Sequence, residues 1–507
     1  MRATDGITSN MALYQPQTSF DLLRVPGLGR LLRWRWGRLV LQLALLVLAL
    51  LVVYDGLTGP QVAPQNIATV SVWVHYRGLV MLALLLAGNL FCMGCPFTLP
   101  RTLARRVSSR GRRWPRALRN KWLAVAAFIS FLWLYEAFDL WASPWLTAWL
   151  VIGYFAASFV LEALFAESPF CKYVCPLGTF NFVASTVSPL QITARSVEVC
   201  RSCVGKECVN GSAQTLGCGT ELFVPQVKSN LDCTFCLDCA RACPHDNVAL
   251  AARKPLSEFI PLHLRSSAAG AAARPAASAW PQRWDVAFLA LVFAFAGLAN
   301  AFGMTPPVYA LAAALSRALG TKSEPLILAL IFGLLMVLLP ATLGLGAAWL
   351  SRRLGAGQFG RANRGSLRVV FARYAPTVAP LAFAIWFAHY WFHFASGALA
   401  IVPVVQSFLI DLGVTLPGVG FGTFLLNQPD WSLGPIMSDD AVFLLVLAAL
   451  AIGYLASLYG LSRTATAERD PQVARRAMLP WLALWTALAL AALLIFSLPM
   501  EMRGMIG

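Results

Sequence analysis

Charge is scarce in this chain. Only 12% of its 507 residues are Asp, Glu, Lys or Arg, the acids number 23 against 40 bases, and histidine occurs five times. A soluble fold cannot bury the 58% that is hydrophobic, with 17 Trp among it, so much of the surface must face lipid. A secretory signal is also lacking: Met1 to Phe20 is polar, without an n-region or cleavage site, and reads as a loose cytoplasmic tail. No glycine-rich nucleotide loop flanks the cysteine-rich stretch, which argues against direct oxidation of NAD(P)H. The apolar runs are nearly free of central charges, which argues against a transporter.

What the chain does contain is a succession of apolar runs separated by basic loops. Spans are expected at about Leu39–Val53, Val72–Phe91, Trp122–Phe138, Trp145–Phe165, Val286–Phe302, Leu326–Leu350, Pro376–Ala398, Ala441–Leu461 and Leu479–Leu498, with Val402 to Leu416 as a possible tenth, short segment. Arg24, Arg30, Arg33, Arg35 and Arg38 precede the first span. The loop Arg101 to Lys121 is basic with no acid, Arg352 to Arg373 and Arg463 to Arg476 repeat the pattern, and Asp430, Asp439 and Asp440 mark a loop of the other sign. Alternation of this kind places the amino end and the loop from Glu167 inside and the carboxyl end outside, and the expected location is a bacterial inner (cytoplasmic) membrane. The net charge of +17 therefore reports topology, and no nucleic-acid partner is expected.

Eight of the twelve cysteines lie between Cys200 and Cys243. The run Cys233-x2-Cys236-x2-Cys239-x3-Cys243-Pro244 has the spacing by which bacterial ferredoxins hold a [4Fe–4S] cluster, and Cys200, Cys203, Cys208 and Cys218 form a looser set before it. In two-cluster ferredoxins the remote fourth cysteine of each run crosses to the other cluster. The crossed assignment is Cys200, Cys203, Cys208 and Cys243 for one cluster, and Cys233, Cys236, Cys239 and Cys218 for the second. Zinc knuckles or a disulfide knot are the competing readings of paired cysteines. A reducing cytoplasmic compartment favours free thiols.

The other four close an internal repeat. The second span ends in Cys92-Met93-Gly94-Cys95-Pro96 and the fourth in Cys171-Lys172-Tyr173-Val174-Cys175-Pro176, so each two-span hairpin delivers a cysteine pair and a helix-ending proline to the cytoplasmic face. A shared additional metal centre, a redox dithiol in each pair, and simple packing are the three readings. Hairpins ending in C-x3-C-P before a double [4Fe–4S] segment resemble membrane ferredoxin subunits of NapH type and the C-terminal part of NosR-type proteins. The resemblance covers about Leu39 to Pro255 and is carried by Cys171 to Pro176 and Cys233 to Pro244. It implies electron transfer between the quinone pool and a respiratory redox partner, with the clusters on the cytoplasmic side. The first pair is one residue shorter than the family pattern, and Val286 to Gly507 has no counterpart in the short family members.

In the seventh span His389 and His393 are four apart and share one helix face, and His75 begins the second span at the same outer level. A quinone headgroup or proton path, a b-haem held between His75 and one of the pair, and interfacial histidines beside an aromatic belt are the readings. The expected architecture is an all-α polytopic membrane protein of about nine helices with a ferredoxin-like 2[4Fe–4S] insert. Its parts are a tail (1–38), a four-helix membrane region (39–166), the cysteine-rich region (167–262), a linker (263–283) and a second membrane region of about five helices (284–507). Electron transfer between quinol or quinone and a redox partner, as a possible oxidoreductase subunit, leads the functional readings. Assembly of a respiratory metalloenzyme and a redox-gated transporter are the alternatives.

Overall fold

The structure is a computed structural model, and it describes residues 20–34, 36–100, 104, 112–165, 168–212, 214–260, 280–355, 366–414, 420–421, 424–425, 428–466 and 471–500. The polar tail before Phe20, residues 101–103 and 105–111 of the first arginine-rich loop, Glu167 and nearly all of the alanine-rich linker lie outside these residues.

Local sequence sets the helix starts. Helix α1 is Gly37–Thr58. Helix α2, Ile67–Ala87, is capped by Asn66, whose side chain accepts from the Ala68 N–H at 2.9 Å, while the buried Asp55 carboxylate accepts from the Ile67 N–H at 2.6 Å. Helix α3 is Trp122–Ala137, and α4, Pro144–Leu164, opens on a Ser143 cap with Pro144 in the first turn. Helix α5, Pro176–Ala184, likewise starts at a proline. Strands β1, Leu190–Ala194, and β2, Val248–Ala252, follow and pair antiparallel, with Leu190 opposite Ala252. The carboxyl-terminal half holds α6 (Trp284–Phe302), α7 (Pro306–Leu319), α8 (Glu324–Leu354), α9 (Leu367–Asp411), α10 (Asp439–Ala465) and α11 (Pro471–Phe496).

Among the described residues eight helices are long and apolar enough to cross a membrane, namely α1, α2, α4, α6 and α8 to α11; α3 is as apolar but shorter. The chain is thus a multi-pass helical membrane protein, and the sequence-derived spans coincide with these nine helices to within several residues, α9 excepted. Helix α9 runs for 45 residues, about 68 Å if straight and more than twice a hydrocarbon core. It passes through 3-10 turns at Ala375–Val378 and Ala398–Ala400. Its last segment, Ile401–Asp411, takes most of the place expected for a tenth span and packs Val404 and Phe408 with Val52 and Ile67. Helix α7, which no apolar run announces, is an addition.

Helix α6 is apolar on all sides and nearly nine-tenths buried, the signature of a central helix. Around it Phe180 of α5 meets Phe293 of α6 at 4.9 Å and Trp386 of α9 at 5.2 Å between ring centres, and the Trp386 indole N–H donates to the Phe293 carbonyl at 2.8 Å. The two membrane halves separated in the sequence by the linker therefore share one core.

The eight clustered cysteines occupy the connection between β1 and β2. Phe20 closes the small sheet on its far edge, its carbonyl accepting from the Ala252 N–H at 2.9 Å. Asp21 accepts from Leu23 N–H, from Leu250 N–H and from Arg195, so the chain ahead of α1 is tied into the cysteine-rich unit.

Candidate metal centre

The connection from Arg195 to Asn247 winds tightly. Among the described residues eight non-glycine positions have positive φ, and six fall in it, Lys206, Glu221, Asp232, Phe235, Leu237 and Asp246. Left-handed turns at these positions curl backbone N–H groups toward sulfur. Cys218 Sγ accepts from Leu222 N–H at 3.4 Å, Cys243 Sγ from Asn247 N–H at 3.4 Å, and Cys200 Sγ from the Asn247 amide at 3.2 Å.

The curling brings the cysteines together in two sets. Cys200, Cys203, Cys208 and Cys243 line one small cavity with Glu207 and Asn247. Cys239 stands within electrostatic range of Cys236, Cys218 and Cys233, and Cys233 of Cys218 and Cys236. Each set thus contains three cysteines of one run and the fourth of the other. The sets adjoin: Cys218 N–H donates to the Cys208 carbonyl at 3.0 Å, and Cys239 feels the charge of Cys208. Burial pushes the Cys208 thiol up to about 12 and Cys236 to about 11, with Cys233 and Cys239 also raised; neighbouring thiolates add to the effect at Cys208, Cys233 and Cys239. Thiols held this way ionise readily only when a positive centre compensates them.

The third set lies where the repeat meets the unit. Cys92 is on the short helix Leu90–Gly94, Cys171 is on the π-turn Phe170–Val174, and Cys95 and Cys175 each precede a proline that starts a new turn. Cys95 is within electrostatic range of Cys92 and Cys175, and Cys171 of Cys175, Cys95 and Cys92, so the two hairpins bring all four thiols to one place. Asn181 donates to Cys92 Sγ at 3.4 Å and Gly178 N–H to Cys175 Sγ at 3.2 Å.

No disulfide joins any of the twelve cysteines. Among the described residues no group of three or more His, Cys, Asp or Glu converges as ligands of a single ion do. Four cysteine thiols with N–H groups donating to sulfur are a donor set that a four-iron cubane can take.

Two side chains, the buried Asn89 and the half-buried Arg38, link the third set to Cys233 and Cys236. Asn89, fully buried, donates to the Cys233 carbonyl at 2.9 Å and also hydrogen-bonds Cys92. Arg38 pairs with Asp238 at 2.6 Å, donates to the Met93 carbonyl at 3.3 Å, and lies within range of both Cys236 and Cys171. Burial alone would raise the Asp238 carboxyl, but Arg38 and Arg241 hold it below the ordinary carboxylate range. Lys121 adds a clamp, donating to the Lys172 carbonyl and the Asp232 carboxylate at 2.5 Å each.

The histidines go elsewhere. The His75 ring nitrogens sit 3.0 Å from the Val70 carbonyl and 2.8 Å from that of Ala398, with Phe394 against the ring. His389 and His393 lie against each other, ring centres 4.9 Å apart, and His393 Nε2 is 3.2 Å from Met304 Sδ. His75 thus packs against the end of this helical segment, beyond His393.

Sequence reasoning missed Arg77. It is 5% exposed and lies in α2, with its guanidinium 4.7 Å from the ring centre of Trp73, 4.5 Å from Tyr135 and 5.0 Å from Tyr390. A lone arginine inside an otherwise apolar span was the available signal. Arg38, Asn89, Asn181 and Asn247 gave none, since their partners are distant in sequence.

Fold and site together define a multi-pass helical membrane protein with a cysteine-rich unit seated against the ends of its helices. No protein-family model matches the chain, and no solved structure matches it. Over 88 residues it is 33% identical to a protein of Escherichia coli (strain K12) described as "Putative electron transport protein YccM". That stretch is 17% of this chain and 22% of the relative, so the chain spans about a fifth of the protein it matches.

Proposed function

We propose that this chain is a membrane-bound iron–sulfur electron carrier that passes electrons between the quinone pool and a redox partner protein, with its cysteine-rich unit on the cytoplasmic side. The observation that carries the reading is the sorting of twelve free thiols into three adjacent sets of four. A [4Fe–4S] cluster, when bound, stores and releases one electron, and two fit the paired sets between β1 and β2. Cys200, Cys203, Cys208 and Cys243 hold one, and Cys218, Cys233, Cys236 and Cys239 the other. The protein's own work is positioning: backbone N–H groups and Asn247 donate to the sulfurs, and the left-handed turns fix where those donors point. Cys92, Cys95, Cys171 and Cys175 form a further centre between membrane and unit, a more economical account than two separate dithiols because the pairs converge.

The description of the Escherichia coli relative agrees with electron transport. The hairpin and cysteine pattern resembles NapH- and NosR-type proteins, and the distribution of basic loops supports a cytoplasmic position for the unit. The test is composition. Protein purified without oxygen should be brown and contain close to eight iron and eight acid-labile sulfide atoms per chain, about four for each of two clusters, and more if the third set is filled. Stoichiometric zinc without sulfide would make the unit structural and end the reading.

A further inference from the structure

Beside the third cysteine set the first four membrane helices leave a cavity of about 160 Å³. A water needs roughly 10–15 Å³ measured this way, so the space takes on the order of ten heavy atoms, the size of a substituted quinone ring. At one end Trp73, Arg77 and Tyr390 line it; at the other Phe97, Tyr154 and Leu177 do. The mouth includes Leu48, which is 42% exposed on the lipid side of α1, so an apolar molecule enters from the bilayer without crossing water. None of His75, His389 and His393 lines it.

Arg77 makes this more than a packing gap. Its side chain has five N–H donors, of which one bonds the Tyr135 hydroxyl at 3.1 Å. Among the described residues no carboxylate lies within the 4.0 Å of an ion pair; the rings of Trp73, Tyr135 and Tyr390 and, farther off, the Glu136 carboxylate offset the charge. A buried cation with unspent donors in the wall of an apolar cavity suits a ligand that is a flat apolar ring bearing carbonyl oxygens. The cysteines lie near this lining, though none is part of it: Tyr76 is within electrostatic range of Cys92, Cys95 and Cys175, and Tyr154 of Cys175 and Cys95.

We infer that this cavity binds the headgroup of a membrane quinone, a carbonyl oxygen accepting from Arg77 and the isoprenoid tail leaving past Leu48. The inference rests on the electron-carrier reading for the choice of a quinone and moves the site away from the histidines to which the sequence points.

The experiment is photolabelling of the full chain in lipid nanodiscs with a photoreactive azido-ubiquinone, followed by peptide mapping. Label is expected on the α2 peptide around Trp73 to Val80 or the α4 peptide around Leu150 to Tyr154. Ala49→Trp fills the cavity from its mouth and should cut labelling at least about tenfold, whereas Leu50→Trp, pointing into lipid on the same helix, should not. Equal thermal unfolding of the two variants establishes that both fold. Label near His389 and His393, undiminished label in Ala49→Trp, or a phospholipid seen in the cavity by native mass spectrometry that quinone does not displace would each overturn the site. Label in the cavity of a protein that holds no iron would leave the site standing and overturn the electron-carrier reading.

Discussion

At the scale of single residues, the site is governed by burial of groups that have no net charge until something binds. In the metal-free chain Cys208 and Cys236, raised to about 12 and about 11 by burial, carry little thiolate at pH 8. Alkylation there by iodoacetamide should be at least about tenfold slower than for free cysteine, and should speed up as pH rises past 10. Rates equal to free cysteine would show the thiols to be exposed. Asn89 is the second sensitive residue, since its amide serves the Cys233 carbonyl and Cys92 together. Asn89→Leu should cost about 1–3 kcal/mol of stability by stranding buried polar atoms, read by denaturant unfolding.

The cysteine spacings carried most of what could be read about these sets, because C-x2-C-x2-C forces three thiols onto one turn whatever surrounds it. Arg77 was legible only as an oddity in an apolar run. Its environment comes from Tyr135 and Tyr390, 58 and 313 positions away, and no local pattern encodes them.

Among the elements, the contact between the end of α2 and the Cys233–Cys236 turn is tight. Gly88 has φ of 77° and ψ of −144°, a conformation that only glycine adopts without strain, and a side chain there would stand 2.6 Å from Ser188 Oγ and 2.7 Å from the Phe235 ring. Gly88→Ala should destabilise by roughly 1–3 kcal/mol through strain alone and push the turn away from α2, lowering the thermal midpoint. No change would mean the turn is not seated on the helix. The Arg38–Asp238 pair fastens α1 to the same unit. Because the Asp238 carboxyl is held low, its contribution is full above the ordinary carboxylate range and is lost only as pH falls below about 4. Span limits were legible to within several residues, since length and hydropathy decide them. The length of α9 and the presence of α7 were not: the first continues through 3-10 turns, and the second is too short and too polar on one side to stand out.

For the whole molecule, the linker composition suggested two membrane regions, yet α6 lies at the centre of a core drawn from both. Packing between elements hundreds of residues apart is the part of the fold that periodicity leaves open. The resulting order is apolar cavity, third cysteine set, Cys218/Cys233/Cys236/Cys239, then Cys200/Cys203/Cys208/Cys243, with Asn89 and Arg38 spanning the first gap between sulfur sets. If electrons follow it, serine at both cysteines of either membrane pair should block reduction of the outer clusters by quinol while dithionite still reduces them. Wild-type reduction by quinol in both variants would leave those cysteines as packing.

The most direct measurement is anaerobic electron paramagnetic resonance of isolated membranes titrated with quinol and then with dithionite. The account predicts signals of reduced [4Fe–4S] clusters that rise with quinol, reach their full intensity with dithionite, and are missing from membranes without this chain. Membranes rich in the protein that show no cluster signal even with dithionite would contradict it.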